Sequence, residues 1–148
     1  MLKREDTLIH LLDRCRQESM RITTTLEKIL ILLINSKKGP VTVKSLFESE
    51  KIEGSCDPAT VYRLLQKLEE KKIIRKIGLH DRSTHFILNE SGQHRDYVVC
   101  HDCGDVETLE MICPVEELEN KVSKSTGFQD VYHELQFYGI CPVCAKDK

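Results

Sequence analysis

The sequence predicts an α+β fold in which an N-terminal winged helix-turn-helix domain precedes a small C-terminal domain closed by a four-cysteine site. The first half contains leucine stripes at helical spacing followed by one β-hairpin, and the second half contains two Cys-x-x-Cys pairs. Charge divides at the same place, since residues 1–90 contain 17 Lys and Arg against 13 Asp and Glu, whereas residues 91–148 contain 5 against 11. A basic half joined to an acidic half is typical of a nucleic-acid-binding module beside a regulatory one.

Three helices are predicted in the first fifty residues. Residues 7–17 and 23–35 each repeat apolar side chains at helical spacing, and residues 41–49 predict a short third helix. Thr24 and Glu27 have the spacing of a capping box, which predicts where the second helix begins. The apolar stripes consist of Leu8, Leu11, Leu12 and Cys15 in the first helix and Leu26, Ile29, Leu30 and Leu33 in the second.

A fourth helix and a hairpin complete the N-terminal pattern. Asp57 is a good N-cap, and Pro58 suits the first helical turn. The buried face of this helix is predicted to be Val61, Leu64, Leu65 and Leu68. Residues 73–77 and 84–88 are rich in β-formers and predict a hairpin with Arg82 at its tip. Helices followed by a hairpin predict a helix-turn-helix with a wing, in which Arg82 is a candidate DNA contact.

The fourth helix carries the candidate nucleic-acid contacts. With its leucine stripe buried, its outward face consists of Ala59, Thr60, Tyr62, Arg63, Gln66 and Lys67. The N-terminal residues of a recognition helix reach base edges in the major groove. Arg63 is suited to guanine, and Tyr62 and Thr60 to a thymine methyl or to phosphate. The alternative is a solvated face without a partner, and the pattern alone does not choose between the two.

The four paired cysteines predict a structural zinc site. Cys100 with Cys103, and Cys141 with Cys144, each have the spacing at which one turn directs two thiolates toward a single ion. Gly104 follows the first pair, where the turn needs conformational freedom. A redox pair is disfavoured because neither motif opens a helix in a βαβ setting. Disulfides are disfavoured because no signal peptide is evident and the thiol count of seven is odd.

These segments together resemble the ferric uptake regulator (Fur) superfamily of bacterial metal-dependent repressors. The resemblance is carried by DPATVYRLLQKLEEKKIIRKI, YVVCHDCG and HELQFYGICPVC. It implies a DNA-binding domain over residues 1–88, a hinge at 89–93 and an α/β dimerisation domain over 94–148, with one structural zinc per chain. It also implies that Tyr62 and Arg63 contact DNA. The family's arginine in the second helix is absent here, and Arg21 is the nearest basic substitute.

The resemblance implies a second, regulatory metal held by His94, Asp96, Glu116 and His133. Two imidazoles and two carboxylates suit Zn²⁺, Fe²⁺ or Mn²⁺ without choosing among them. The alternative is that these residues are ordinary surface polars. The superfamily also has another sensing site. At the positions of its ligands this chain has Pro40, Ile87, Arg95 and Tyr97, none of which is a usual metal ligand. That sensor is therefore expected to be replaced or absent.

The leading hypothesis is a homodimeric, metal-responsive repressor that binds a palindromic DNA operator and controls metal-uptake or metal-homeostasis genes. A constitutive or thiol-triggered regulator, using Cys15, Cys56 or Cys113, is the alternative. Enzymatic activity is not expected, because four thiolates leave zinc no open position. We expect a cytoplasmic protein with no membrane partner and no small-molecule substrate.

Overall fold

The structure, a computed structural model, describes residues 4–36, 39–78, 84–89, 96–109 and 113–147, with the side chains of Arg4 and Glu116 excepted. The chain folds into two compact units, residues 1–91 and 92–148. Arg82, His94 and Arg95 lie outside the described residues, as does the predicted hinge apart from Asn89. No helix among the described ranges is long and apolar enough to cross a membrane.

Unit 1 contains four helices and one sheet. The helices are α1 (Arg4–Gln17), α2 (Thr24–Asn35), α3 (Val43–Phe47) and α4 (Pro58–Glu70), and the strands are β1 (Val41–Thr42), β2 (Ile74–Ile77) and β3 (His85–Leu88). The strands pair antiparallel in the order β1-β3-β2. The predicted hairpin is therefore confirmed. The two-residue strand β1 was not predicted, because two residues are too few to show a period of two.

The N-terminus of α2 differs from the prediction by one residue. The N-cap is Thr23, whose extended backbone lets its hydroxyl accept a hydrogen bond from Leu26 N at 3.2 Å. Thr24 is instead the first helical residue, so the capping box proposed from Thr24 and Glu27 is wrong. The true box lies in α3, where Thr42 and Ser45 each accept a hydrogen bond from the other's backbone N–H, both at 3.0 Å.

The core of unit 1 is built from the predicted leucine stripes. Leu26, Ile29, Leu30 and Leu33 of α2 are all buried, as are Leu11 and Cys15 of α1. Leu8, Leu12 and Leu64 are half-buried against this core. Asn89 is held within the same unit, since its carbonyl oxygen accepts a hydrogen bond from Arg14 Nη1 at 3.3 Å and its backbone N–H donates to Ile73 O at 2.9 Å.

Unit 2 is a three-stranded sheet with two helices. Its elements are β4 (Asp96–Cys100), β5 (Val106–Leu109), α5 (Glu116–Thr126), β6 (Gln136–Gly139) and α6 (Pro142–Lys146). The strand order is β5-β4-β6, with β4 antiparallel to β5 and parallel to β6. A parallel pair requires a crossover connection, and α5 lies within it. The α/β class expected for this half is confirmed.

The core of unit 2 is small. Among its described residues, only Asp96, Tyr97, Val99, Cys100, Gly104 and Val106 are buried. All six belong to β4, β5 or the turn between them. A unit of this size rarely buries enough apolar surface to fold unaided, and metals or partner subunits commonly supply the remainder.

Candidate metal centres and nucleic-acid interface

The first cysteine pair lies on the turn between β4 and β5. Cys100 is the last residue of β4, and its backbone N–H donates to Asp105 O at 2.8 Å across the turn. Gly104 N donates to Cys100 O at 2.8 Å, and Gly104 has φ of 79°, a left-handed conformation that favours glycine. The predicted need for glycine here is confirmed. The tight turn places the thiols of Cys100 and Cys103 on one side.

The second pair reaches the first through the parallel pairing of β4 and β6. Cys100 pairs with Gly139, so that Cys141 follows β6 beside the end of β4. Cys141 N donates to Cys100 Sγ at 3.3 Å. Cys141 is also the N-cap of α6, so this pair does open a short helix, although no strand follows α6 among the described residues. The Cys141 sulfur accepts a hydrogen bond from Cys144 N at 3.5 Å.

The four cysteine sulfurs lie within 4.8 Å of one another, and Cys103 Sγ is 3.8 Å from Cys141 Sγ. A tetrahedral zinc ion with bonds of about 2.3 Å holds its sulfurs about 3.8 Å apart. The cluster therefore fits zinc in both donor type and spacing. Among the described residues it is the one group of three or more His, Cys, Asp or Glu side chains gathered this closely.

The protein environment favours the ionised form of one thiol and opposes that of another. Hydrogen bonds from the backbone N–H groups of Cys103 and Cys141 lower the pKa of Cys100 to about 6. The pKa of Cys144 is raised to about 12, mainly by its side-chain hydrogen bond with Cys141 and next by its side-chain hydrogen bond with Cys103. Negative charge on one sulfur opposes charge on the next, and a divalent cation relieves this repulsion.

A second cluster forms around His133, which lies before β6. His133 Nδ1 is 2.6 Å from Glu119 Oε1 on α5, and His133 Nε2 is 3.3 Å from Cys113 Sγ. Cys113 Sγ also accepts a hydrogen bond from Val115 N at 3.3 Å. The His133 and Glu119 side chains are 18% and 26% exposed, so the cluster is shielded but accessible to solvent.

The predicted outward face of α4 is exposed except at Thr60, which is half-buried. Ala59, Arg63, Gln66 and Lys67 are exposed, and Tyr62 is 54% exposed. Asp57 caps the helix by accepting from Thr60 N and from Thr60 Oγ1, each at 2.9 Å. These bonds lower the pKa of Asp57, the backbone bond contributing most. Arg63 Nη2 donates to Thr60 Oγ1 at 3.5 Å, which places the guanidinium over the first turn of the helix.

The model of the ferric uptake regulator family matches residues 17–138. The chain belongs to this family. The Peroxide operon regulator of Bacillus subtilis is 28% identical over 139 residues, covering 91% of each chain. The Ferric uptake regulation protein of Neisseria meningitidis serogroup A is 29% identical over 136 residues, covering 90% of this chain and 92% of its own. The structure of the Helicobacter pylori ferric uptake regulator Fur has the same fold, with a TM-score of 0.71, 21% identity and 97% of both chains covered.

Membership in this family gives the chain a function. The chain is a metal-responsive DNA-binding transcriptional regulator of the ferric uptake regulator family, and its four-cysteine cluster is suited to zinc. The helices and β-hairpin of unit 1 match the winged helix-turn-helix predicted from the sequence.

The proposed ligands of the regulatory metal stay a prediction, because only two of the four, Asp96 and His133, have described side chains. Asp96 is the buried first residue of β4, and Glu116 is the first residue of α5. Sequence reasoning did not find Glu119 as the carboxylate in contact with His133. The available signal was position, since Glu119 lies three residues after Glu116 and so on the same face of the helix.

Three of the four positions of the family's other sensing site are described in this structure, and none of them holds a usual metal ligand. Pro40 and Ile87 are half-buried, and Tyr97 is buried at 3% exposure in β4. Arg21 is exposed two residues before the N-cap of α2, where it is available as a phosphate contact. The assignments of Arg21 and Arg82 to DNA stay predictions.

Proposed function

We propose that the chain acts as a cytoplasmic homodimer on a palindromic operator, with a divalent metal at the His133 end of unit 2 controlling its affinity for DNA. The observation that carries the proposal is the placement of two donor clusters at opposite ends of one sheet. The four cysteines lie at or after the C-terminal ends of β4 and β6, whereas Asp96 and His133 lie at or before the N-terminal ends of the same strands.

The four-cysteine cluster is the structural zinc site in this proposal. Four thiolates fill a tetrahedral zinc shell and leave no position for water or substrate. Zinc there joins the end of β4 to the segment after β6 and stabilises the small core of unit 2. For this reason we expect a regulator and no enzyme.

The His133 end would hold the regulatory metal. Imidazole and carboxylate donors suit Zn²⁺, Fe²⁺ and Mn²⁺, so the residue types fit a divalent ion. His133 has one ring nitrogen bonded to Glu119 and the other turned toward Cys113. His94, Asp96 and Glu116 are the remaining proposed ligands.

The reading surface is the exposed face of α4, with Tyr62, Arg63 and Lys67 as its exposed polar members, the half-buried Thr60 beside them and Ala59 at its start. Arg63 and Lys67 carry the positive charge that phosphate attracts, and Arg63 has the bidentate geometry that guanine accepts. A homodimer has a two-fold axis, so its two reading helices match two inverted half-sites.

Unit 2 presents the surface for dimerisation. Eight of the ten large hydrophobic side chains exposed among the described residues belong to it: Leu118, Val122, Phe128, Tyr132, Phe137, Tyr138, Ile140 and Val143. Three of these lie on or beside β6, which is an edge strand. Exposed edge strands with apolar side chains commonly pair with another chain, and a second copy of unit 2 is the partner proposed here.

Metal analysis followed by DNA binding tests the proposal. Protein purified without added metal should contain about one zinc per chain. Its binding to DNA from its own promoter should then strengthen on titration with Zn²⁺, Fe²⁺ or Mn²⁺. Equal binding with and without added metal would instead support the constitutive or thiol-triggered alternative. The observation behind that alternative is that Pro40, Ile87 and Tyr97, which are not usual metal ligands, stand at positions of the family's other sensing site.

Family relatives differ in the signal that their names report. One relative is a peroxide operon regulator and another a ferric uptake regulation protein, at nearly equal identity. Similarity therefore does not choose the signal for this chain. We propose control of metal-uptake or metal-homeostasis genes, because the described donors near His133 suit metal binding.

A further inference from the structure

We propose that Cys113 is a ligand of the second metal, binding through its sulfur beside His133, and that Glu119 is a positioning residue that orients the His133 ring. This inference rests on the proposed regulatory metal and deepens it, since it changes which ions the site prefers.

Sheet topology brings Cys113 and His133 together. Asp96 at the start of β4 pairs with Leu109 at the end of β5, and Tyr97 pairs with Gln136 at the start of β6. The chain therefore leaves β5 and enters β6 at the same end of the sheet. Cys113 lies four residues after β5, and His133 lies three residues before β6.

The two nitrogens of His133 have different partners. A carboxylate can only accept a hydrogen bond, so Nδ1 donates its proton to Glu119 Oε1 at 2.6 Å. In the neutral ring this leaves the lone pair on Nε2, the atom that lies 3.3 Å from Cys113 Sγ. A carboxylate on one nitrogen and a metal on the other is the usual arrangement of a ligating histidine, and the carboxylate fixes the ring's orientation.

The spacing between sulfur and nitrogen suits a shared ion. Zinc bonds of about 2.3 Å to sulfur and about 2.0–2.1 Å to nitrogen hold the two donor atoms about 3.5 Å apart in a tetrahedral shell. The observed 3.3 Å separation is within a few tenths of an ångström of that value. The sulfur is already held in place by the hydrogen bond from Val115 N at 3.3 Å.

The chemistry of sulfur makes the proposal specific. Oxygen and nitrogen donors alone accept Mn²⁺, Fe²⁺ and Zn²⁺, whereas a thiolate favours Zn²⁺ and disfavours Mn²⁺. With Cys113 in the shell, the site should prefer zinc over manganese. Without it, the remaining imidazoles and carboxylates should discriminate less.

Cobalt(II) is the probe, because its X-ray absorption edge is separate from that of zinc. Protein containing one zinc per chain is given one equivalent of Co²⁺ without oxygen, and both edges are recorded. We expect a sulfur neighbour beside nitrogen and oxygen at cobalt, with four sulfurs retained at zinc. In Cys113→Ser the cobalt should lose its sulfur neighbour while zinc keeps four. Cys56→Ser, which removes a half-buried thiol of unit 1, is the matched control and should leave both shells unchanged.

Glu119→Gln separates positioning from ligation. This variant should keep sulfur at cobalt but bind cobalt about 10–100-fold more weakly, the usual effect of losing an outer carboxylate. Competition between Zn²⁺ and Mn²⁺ should also show a smaller zinc preference in Cys113→Ser than in the unmutated protein.

The outcomes distinguish this inference from the function on which it rests. Cobalt bound without sulfur in the unmutated protein, but lost in His133→Ala, would overturn the role of Cys113 and leave the regulatory site standing. No cobalt bound beyond the four-cysteine site would overturn both.

Discussion

Cys103 Sγ lies 3.8 Å from Cys141 Sγ, although the two are 38 positions apart along the chain. The parallel pairing of β4 with β6 brings them together, because Cys100 pairs with Gly139. The segment between them includes β5, α5 and β6, so the cysteines close the middle of unit 2 into one loop. An ion held by both pairs fixes this loop in its folded arrangement.

Cys141→Ser should remove zinc from the protein and unfold unit 2. Structural zinc contributes apparent binding energy of about 10–16 kcal/mol, which matches or exceeds the net stability of a whole domain at about 5–15 kcal/mol. Zinc content by elemental analysis and oligomeric state by sedimentation test this prediction.

Cys56→Ser is the control, because it removes a thiol that lies outside the cluster. It should keep about one zinc per chain, the full content of a four-cysteine site. A soluble, dimeric Cys141→Ser protein without zinc would show that the cluster does not support the fold.

Local chemistry made much of the fold predictable. Asp57 and Pro58 begin α4 as predicted, and the leucine stripe of α2 is buried throughout. The two cysteine pairs were predictable as a cluster because repeated spacing indicates shared metal ligation even across a long gap. Each of these features depends on neighbouring residues or on a repeated motif.

Features that depend on tertiary structure were not predictable. The choice between Thr23 and Thr24 as N-cap depends on where the chain turns before α2. The contact of Glu119 with His133 depends on how α5 packs beside the segment before β6. His85 is only 6% exposed in β3, where it pairs with Thr42 of the unpredicted strand β1. No periodicity in the sequence indicates these placements.

Arg63→Ala should weaken operator binding while leaving zinc content and dimerisation unchanged. If Arg63 contacts a base edge, the loss of discrimination should be about 1–3 kcal/mol at one base pair. If it contacts phosphate, binding to all sequences should weaken alike and the salt slope should fall by about 0.9. Affinity for operator and random DNA at several salt concentrations distinguishes the two.

Arg16→Ala is a suitable comparison for Arg63→Ala. Arg16 is an exposed arginine on a different helix, α1, where it is paired with Asp13. Its loss removes the same charge without altering α4. Equal, unchanged DNA binding in both variants would mean that the outward face of α4 is solvated only.

Phe137→Asp should dissociate the dimer. Phe137 is 42% exposed on the edge strand β6. Fully burying such a side chain contributes about 1.5–3 kcal/mol, so burying the exposed part of Phe137 in both copies contributes about 1.3–2.5 kcal/mol to the dimer. Replacing it with a charge should raise the dimer dissociation constant at least about tenfold, since 1.4 kcal/mol corresponds to a factor of ten. Sedimentation velocity over a range of concentrations measures the change.

Zinc content must stay at one per chain in Phe137→Asp for the result to report on dimerisation rather than unfolding. Ile9→Asp provides the matched control, because Ile9 is an apolar side chain of α1 that is 57% exposed. It should leave the dimer intact. A Phe137→Asp protein that remains dimeric at the lowest concentrations would place the interface away from β6.

His133→Ala distinguishes a regulator that senses metal from one that only contains it. The variant should keep its four-cysteine zinc, its dimer and its metal-free affinity for DNA, because His133 lies at the opposite end of the sheet from the cysteines. It should lose most of the metal-induced gain, which for coupling of this kind is about 5–150-fold in DNA affinity, or about 1–3 kcal/mol.

His10→Ala, at an exposed histidine of α1, should retain the full gain. Titration of operator binding with Zn²⁺, Fe²⁺ and Mn²⁺ measures it in all three proteins. Equal responses in all three would move the sensor away from His133, whereas a response lost in both variants would indicate a general effect of removing histidine.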